Sequence, residues 1–122
     1  LTNVSESELG GLGYKENLSL RQLVLDRANV AKESGCAGVV CSGEEVALIK
    51  RTCSNHFKVV VPGIRPLWAD VKKDDQSRIV TPKDAISNGA DLIVVGRPIR
   101  DAKDPNIAAL KIVEEIESAL SA

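Results

Sequence analysis

Aromatic side chains are nearly missing from this chain: Tyr14, Phe57 and Trp68 are the whole set among 122 residues. Without a run of stacking side chains there is no platform for single-stranded nucleic acid. An excess of one charge is missing too, since 16 Lys and Arg face 17 Asp and Glu for a formal net charge of −1. That balance takes nucleic acid and anionic membrane surfaces out of the first rank of partners. No stretch approaches the roughly 18–20 apolar residues of a membrane span, and none has the charged-then-apolar pattern of a leader. Zinc needs short-spaced ligand pairs, such as C-x-x-C with a second pair, and a single histidine, His56, with three cysteines does not supply them. No metal site is expected.

The cysteines are Cys36, Cys41 and Cys53, an odd number that argues against a disulfide framework and for a reduced, cytoplasmic compartment. Cys36 and Cys41 lie in or beside an apolar run and read as small core hydrophobes, whereas His56, in a polar turn, reads as solvated. Methionine is absent and the chain opens on Leu1. A complete translation product starts with Met, so the chain is expected to begin downstream of the start of its gene.

What is present is the composition of a soluble globular domain, 43% hydrophobic and 27% charged. Leu1 to Val4 reads as the tail of a strand. Ser19 with Gln22 has the spacing of a capping box and predicts a helix to about Ser34, stopped by Gly35. Ala37 to Cys41 is a short, continuous apolar run, as suits a strand covered on both faces. Ser42 with Glu45 repeats the capping spacing and predicts a helix to about Thr52, and Phe57 to Val61 is the next strand. After a polar stretch from Ile64 to Val80, Thr81-Pro82 opens a short helix that stops at Asn88-Gly89. Leu92 to Val95 is a strand, Gly96-Arg97-Pro98 turns into a short helix, and Asp104-Pro105 caps a final helix ending near Leu120.

Strands alternating with helices predict parallel pairing through right-handed crossovers. A faint repeat supports the same plan: 34–40 and 88–94 each carry a glycine helix stop, a short link and a buried strand. About four such units are half of a (β/α)8 barrel, whose usual length is about 250 residues. The fold class expected is therefore α/β, the C-terminal half of a TIM barrel over 1–122 with its first strand truncated.

Two segments carry chemistry. In Val95-Gly96-Arg97-Pro98 the glycine admits an anion close to the backbone, the proline suits the first helical position, and the arginine offers a planar donor fork for phosphate. In Val61-Pro62-Gly63-Ile64-Arg65-Pro66 a second arginine stands at the carboxyl end of a strand, on the same rim as Arg97. On these residues alone, two readings stay open: an anionic ligand held by two arginines, or plain surface turns with solvated or salt-bridging arginines.

These runs, with Leu1-Thr2, Gly38-Val39-Val40-Cys41-Ser42, Asp75-Gln76-Ser77-Arg78, Thr81-Pro82, Gly89-Ala90-Asp91 and Asp104-Pro105, follow one another in an order and spacing that resembles the C-terminal half of bacterial orotidine 5′-phosphate decarboxylases. The resemblance covers essentially the whole chain. It implies that Arg65, Gln76, Gly96 and Arg97 grip the 5′-phosphate and that Thr2 lies near the pyrimidine. The implied reaction converts orotidine 5′-phosphate to uridine 5′-phosphate and CO2 without cofactor or metal, in pyrimidine biosynthesis. Family enzymes stabilise a carbanion-like transition state beside a lysine in an Asp-x-Lys-x-x-Asp array. That array belongs to the family's N-terminal half, so no catalytic residue is expected here and the chain alone is expected to be inactive. Asp70, Lys72 and Asp75 match the array's spacing, but they sit in the polar stretch rather than after a buried strand, and read as a solvated charge run.

The alternative is a non-catalytic phosphate- or nucleotide-binding α/β module. A phosphosugar decarboxylase or aldolase of similar architecture fits the Pro62–Pro66 and Asp75–Arg78 runs less well. A half-barrel with helices on one face leaves unpaired strand edges and an apolar inner face, so a homodimer or another half-barrel association is expected.

Overall fold

In the computed structural model, which describes residues 1–15, 17–69 and 78–122, Ser19 opens the first helix as its spacing predicts. Its hydroxyl accepts the Gln22 N–H at 3.1 Å. Gln22 leaves the capping box half made, because its side-chain amide donates one turn onward to Asp26 at 2.7 Å. Helix α1, Leu20–Glu33, buries Leu20, Leu23, Val24 and Ala28, which share one face at helical spacing. At its end Gly35 takes φ +83°, a conformation costly for any residue with a Cβ. The Cys36 N–H then reaches the Ala31 carbonyl at 3.0 Å and the chain enters strand β1, Gly38–Val40.

The same device recurs later. Helix α3, Pro82–Ser87, ends at Gly89 with φ +103°, Ala90 N–H meets the Ala85 carbonyl at 3.0 Å, and strand β3, Leu92–Ile93, follows. The internal repeat is thus two copies of one helix-to-strand turn. Between them lie helix α2, Val46–Cys53, and strand β2, Lys58–Val61. Helix α4, Arg97–Arg100, and helix α5, Pro105–Leu120, complete the chain. Thr81 and Asp104 cap α3 and α5 through hydrogen bonds from Asp84 N–H at 3.1 Å and from Asn106 and Ile107 N–H at 3.0 and 3.1 Å.

The three strands pair in the order β1-β2-β3, all parallel, with Val39 opposite Val59 and Val61 opposite Ile93. Parallel pairing of successive strands follows from the crossovers α2 and α3. One face of the sheet is covered: Val59 and Val61 are fully buried with Val46 and Ile49 of α2, in a core that α1 completes. Helix α5 packs against α3 and α4 and buries Ala108 and Ile112.

Several sequence expectations are corrected. Leu1 to Val4 form a turn rather than a strand, Val4 N–H bonding back to the Leu1 carbonyl at 3.3 Å, so the described residues contain three strands. Ser42 and Glu45 do not make a capping box. The helix starts later, at Val46, the Ser42 hydroxyl accepts the Glu44 N–H at 3.3 Å, and the Glu45 carboxylate is taken by Arg78. Cys36 is exposed, because the turn after Gly35 carries it outside the sheet, whereas Cys41 and Cys53 are buried. Nor are the strands covered on both faces: Val40 and Leu92, on the face opposite the helices, are each 62% exposed. The paired Asp70/Lys72/Asp75 spacing lies outside the described residues, as does Gln76.

Candidate functional site

Parallel strands put all their carboxyl ends on one edge, so whatever follows β1, β2 and β3 shares a rim. After β2 the chain passes Pro62-Gly63 to Arg65, which is half-buried and turns its Nη1 onto the Ile64 carbonyl at 2.9 Å. The turn there has a second anchor. Ile64 and Val80 form a parallel bridge, Arg65 N–H donates to the Val80 carbonyl at 2.9 Å, and Val80 N–H donates to the Gly63 carbonyl at 3.3 Å. Both ends of the polar stretch are therefore tied together at the rim.

After β3 the chain reaches Gly96, the N-cap of α4, whose carbonyl accepts the Ile99 and Arg100 N–H groups at 3.0 Å each. A Cβ added at Gly96 would meet nothing within 4 Å, so the space beside this backbone is open. Arg97 follows, half-buried, at the wall of an open cavity of about 740 Å³ that Trp68, Asp101, Asp104 and Lys111 also line. In that wall the Trp68 indole N–H donates to Glu115 at 2.7 Å and the Lys111 ammonium lies 5.2 Å over the ring, a cation–π pair.

Thr2 comes to the rim by a different route. It lines a cavity of about 430 Å³ at the end of β1 together with Cys41, Ser42, Arg27 and Arg78. The Arg78 guanidinium holds this corner: Nη1 donates to the Leu1 carbonyl at 3.3 Å, Nε and Nη2 to Glu44 Oε2 at 3.1 and 2.9 Å, and Nη2 also pairs with Glu45. Burial pushes the Cys41 thiol up to about 11, against the opposing pull of the Arg78 charge. At neutral pH Cys41 is a protonated thiol, a packing residue rather than a nucleophile.

Of the residues expected from sequence, Arg65, Gly96 and Arg97 thus follow the carboxyl ends of neighbouring strands β2 and β3, and Thr2 sits beside the end of β1. The cavities of Thr2 and Arg97 are separate among the described residues. Sequence reasoning placed Arg78 in a family run without a role and read Glu45 as a helix cap. The only hint of their pairing was an arginine and a glutamate each beside a chemically marked turn.

The amino ends of the strands hold a second polar cluster. Asp91 Oδ2 accepts Lys50 Nζ at 2.6 Å and Val59 N–H at 2.8 Å, and Oδ1 accepts Lys58 Nζ at 3.1 Å. Burial by itself raises this carboxyl, but the bonds from Lys50, Val59 and Lys58 outweigh it and bring it down to about 2. This cluster lies at the rim opposite the arginines and ties α2, β2 and β3 together.

Fold and rim define a parallel α/β protein that gathers arginines at the carboxyl edge of its sheet. The chain belongs to the orotidine 5′-phosphate decarboxylase / HUMPS family, whose model matches residues 1–112. It is 49% identical over 124 aligned positions to orotidine 5′-phosphate decarboxylase of Desulfosudis oleivorans, covering 98% of this chain and 49% of that protein. The corresponding protein of Syntrophomonas wolfei is 45% identical over 117 positions, 96% of this chain and 48% of that one. Among solved structures, orotidine 5′-phosphate decarboxylase from Lactobacillus acidophilus superposes with a TM-score of 0.76 at 37% identity, over 95% of this chain and 46% of that chain. The chain spans about half the length of the relatives it matches.

Proposed function

We propose that this chain is the phosphate-holding, C-terminal half-barrel of an orotidine 5′-phosphate decarboxylase. The observation that carries the reading is the placement of Arg65 and Arg97 after the carboxyl ends of adjacent parallel strands, in a chain of this family. Arg65 and Arg97 supply guanidinium forks to the 5′-phosphate, and the open backbone at Gly96 admits an oxygen where a side chain would stand in the way. Gln76 adds an amide donor, and Thr2 faces the pyrimidine. Loss of CO2 leaves an electron pair on the ring carbon that a proton must then quench. The groups for that step belong to the family's N-terminal half, so the chain alone binds but does not turn over. Phosphate contacts remote from the reacting carbon contribute to rate because their binding energy organises the site.

The reading also assigns a partner. Val40 and Leu92 on the uncovered sheet face, with Val94 at 53% exposure beyond β3, form an apolar surface flanked by the edges of β1 and β3, which pair with no further strand among the described residues. A second half-barrel, from a complementary N-terminal half or a second copy, covers it.

The test has two arms. Titration calorimetry of the chain with uridine 5′-phosphate is expected to show binding, weakened about 10- to 100-fold by Arg97→Ala, the worth of one charge-assisted hydrogen bond. Mixing with the N-terminal half of a relative is expected to restore decarboxylation of orotidine 5′-phosphate, followed by its ultraviolet absorbance. Binding without restored turnover favours a nucleotide-binding module, and failure of both arms removes the reading.

A further inference from the structure

Arg78 is only 8% exposed, and a buried guanidinium is tolerated where its donors are met. Its partners come from two separate places: the Leu1 carbonyl, next to Thr2, and the Glu44 and Glu45 carboxylates in the turn after β1. Glu45 is buried at 4% exposure, and among the described residues its Oε2 has no hydrogen-bond partner. A buried pair with an unfilled acceptor is poor value as a source of stability, since apolar residues of similar size commonly do as well. What the pair supplies is geometry.

That geometry extends to both sides of the rim. The turn carrying Glu44 and Glu45 is pressed onto Val80, so closely that a Cβ on Gly43 would lie 2.4 Å from Val80 Cγ1. Val80 is bonded in turn to the Arg65 N–H. Contacts through Val80 therefore register Arg65 against the turn after β1, and the Arg78 side chain ties Leu1, next to Thr2, to the same frame. We infer that Arg78, fixed by Glu45, is the positioning residue for Thr2, and that through it the site prefers a nucleotide over bare phosphate. This rests on the nucleotide reading above and extends it to a residue with no assigned contact to the ligand.

The experiment compares the 122-residue chain with Arg78→Met, Arg78→Lys and the double variant Arg78→Met/Glu45→Met. Affinities for uridine 5′-phosphate and for inorganic phosphate are measured beside thermal stability and amide hydrogen exchange. Arg78→Met is expected to lower uridine 5′-phosphate affinity about tenfold while changing inorganic phosphate affinity less than about twofold. Exchange at the Val4 amide is expected to speed up while that of α5 stays as it is. The double variant, free of the buried unpaired carboxylate, is expected to recover thermal stability but not the nucleotide preference. Arg78→Lys, which keeps the charge and loses the fork, is expected to fall between. A purely structural role would lower stability and leave the ratio of the two affinities unchanged, and that result overturns the inference. An unchanged Val4 exchange rate overturns it also, whatever the ligands do. A wild-type chain that binds neither ligand defeats the nucleotide reading itself, and the Val4 rate then decides separately whether Arg78 holds Leu1 and Thr2.

Discussion

At the scale of single residues, Asp91 shows how one carboxylate serves three elements. Its oxygens take Lys50 of α2 and both the Lys58 ammonium and the Val59 N–H of β2, while its own backbone N–H donates to the Val59 carbonyl at 3.0 Å. Because its folded-state value lies near 2, below the 3.8 of an unperturbed aspartate, its contribution is complete above that ordinary value. It is lost as pH falls through about 2. Discounted for solvent at a side chain 20% exposed, that contribution is about 1–2 kcal/mol. Asp91→Asn is expected to cost about 2 kcal/mol near neutral pH, because Lys50 keeps its buried position without its charge partner. It is also expected to flatten the urea-midpoint curve of the wild type between about pH 4 and pH 2. A variant that keeps the full acid dependence would show that another carboxylate carries it.

Elements show where the backbone is costly. Gly38 in β1 stands so close to its neighbour that a Cβ would lie 2.1 Å from the Lys58 carbonyl oxygen, a backbone atom that cannot step aside without breaking the β1–β2 ladder. Gly38→Ala is expected to destabilise by more than about 2 kcal/mol in denaturant melts. Ser54, which ends α2, is the opposite case. It is a residue with a Cβ held at φ +126° and ψ 162°, a region that suits glycine alone. Ser54→Gly is expected to raise stability by about 1 kcal/mol in the same assay. A loss there would mean that the Ser54 side chain does more than its backbone strain suggests.

For the whole molecule the informative surface is apolar and uncovered. Besides Val40, Leu92 and Val94 on the sheet, helix α5 exposes Ile107, Leu110 and Val113, on a face other than the one that buries Ala108 and Ile112 against its neighbours. Helix α5 thus has apolar residues on more than one side, whereas a surface helix usually keeps one apolar stripe. Light scattering of the isolated chain is expected to give dimers or larger species that weaken with Val40→Lys and Leu92→Lys. A monodisperse monomer would contradict the proposed half-barrel association.

The helices, the order of strands and the rim arginines were legible in the sequence because each rests on local chemistry. Ser19, Thr81 and Asp104 meet their own helix's N–H groups, Gly35 and Gly89 supply positive φ, and alternation of strand with helix leaves parallel pairing as the available topology. Family membership was legible for a related reason, since the order and spacing of short runs are properties of the chain itself. Three things were not. A capping spacing at Ser42 and Glu45 cannot disclose that the carboxylate will meet Arg78, 33 positions along. An apolar run such as Ala37 to Cys41 reads the same with one face covered or two, because burial belongs to neighbours rather than to the run. And Leu1, next to Thr2, is tied to the rim by a guanidinium that packing has desolvated. Local hydrogen bonding and backbone sterics are written residue by residue, so the sequence by itself determined the elements and their order. Which charges are buried together, and which apolar face is left open, depends on contacts between distant segments, and the tertiary structure alone decided those.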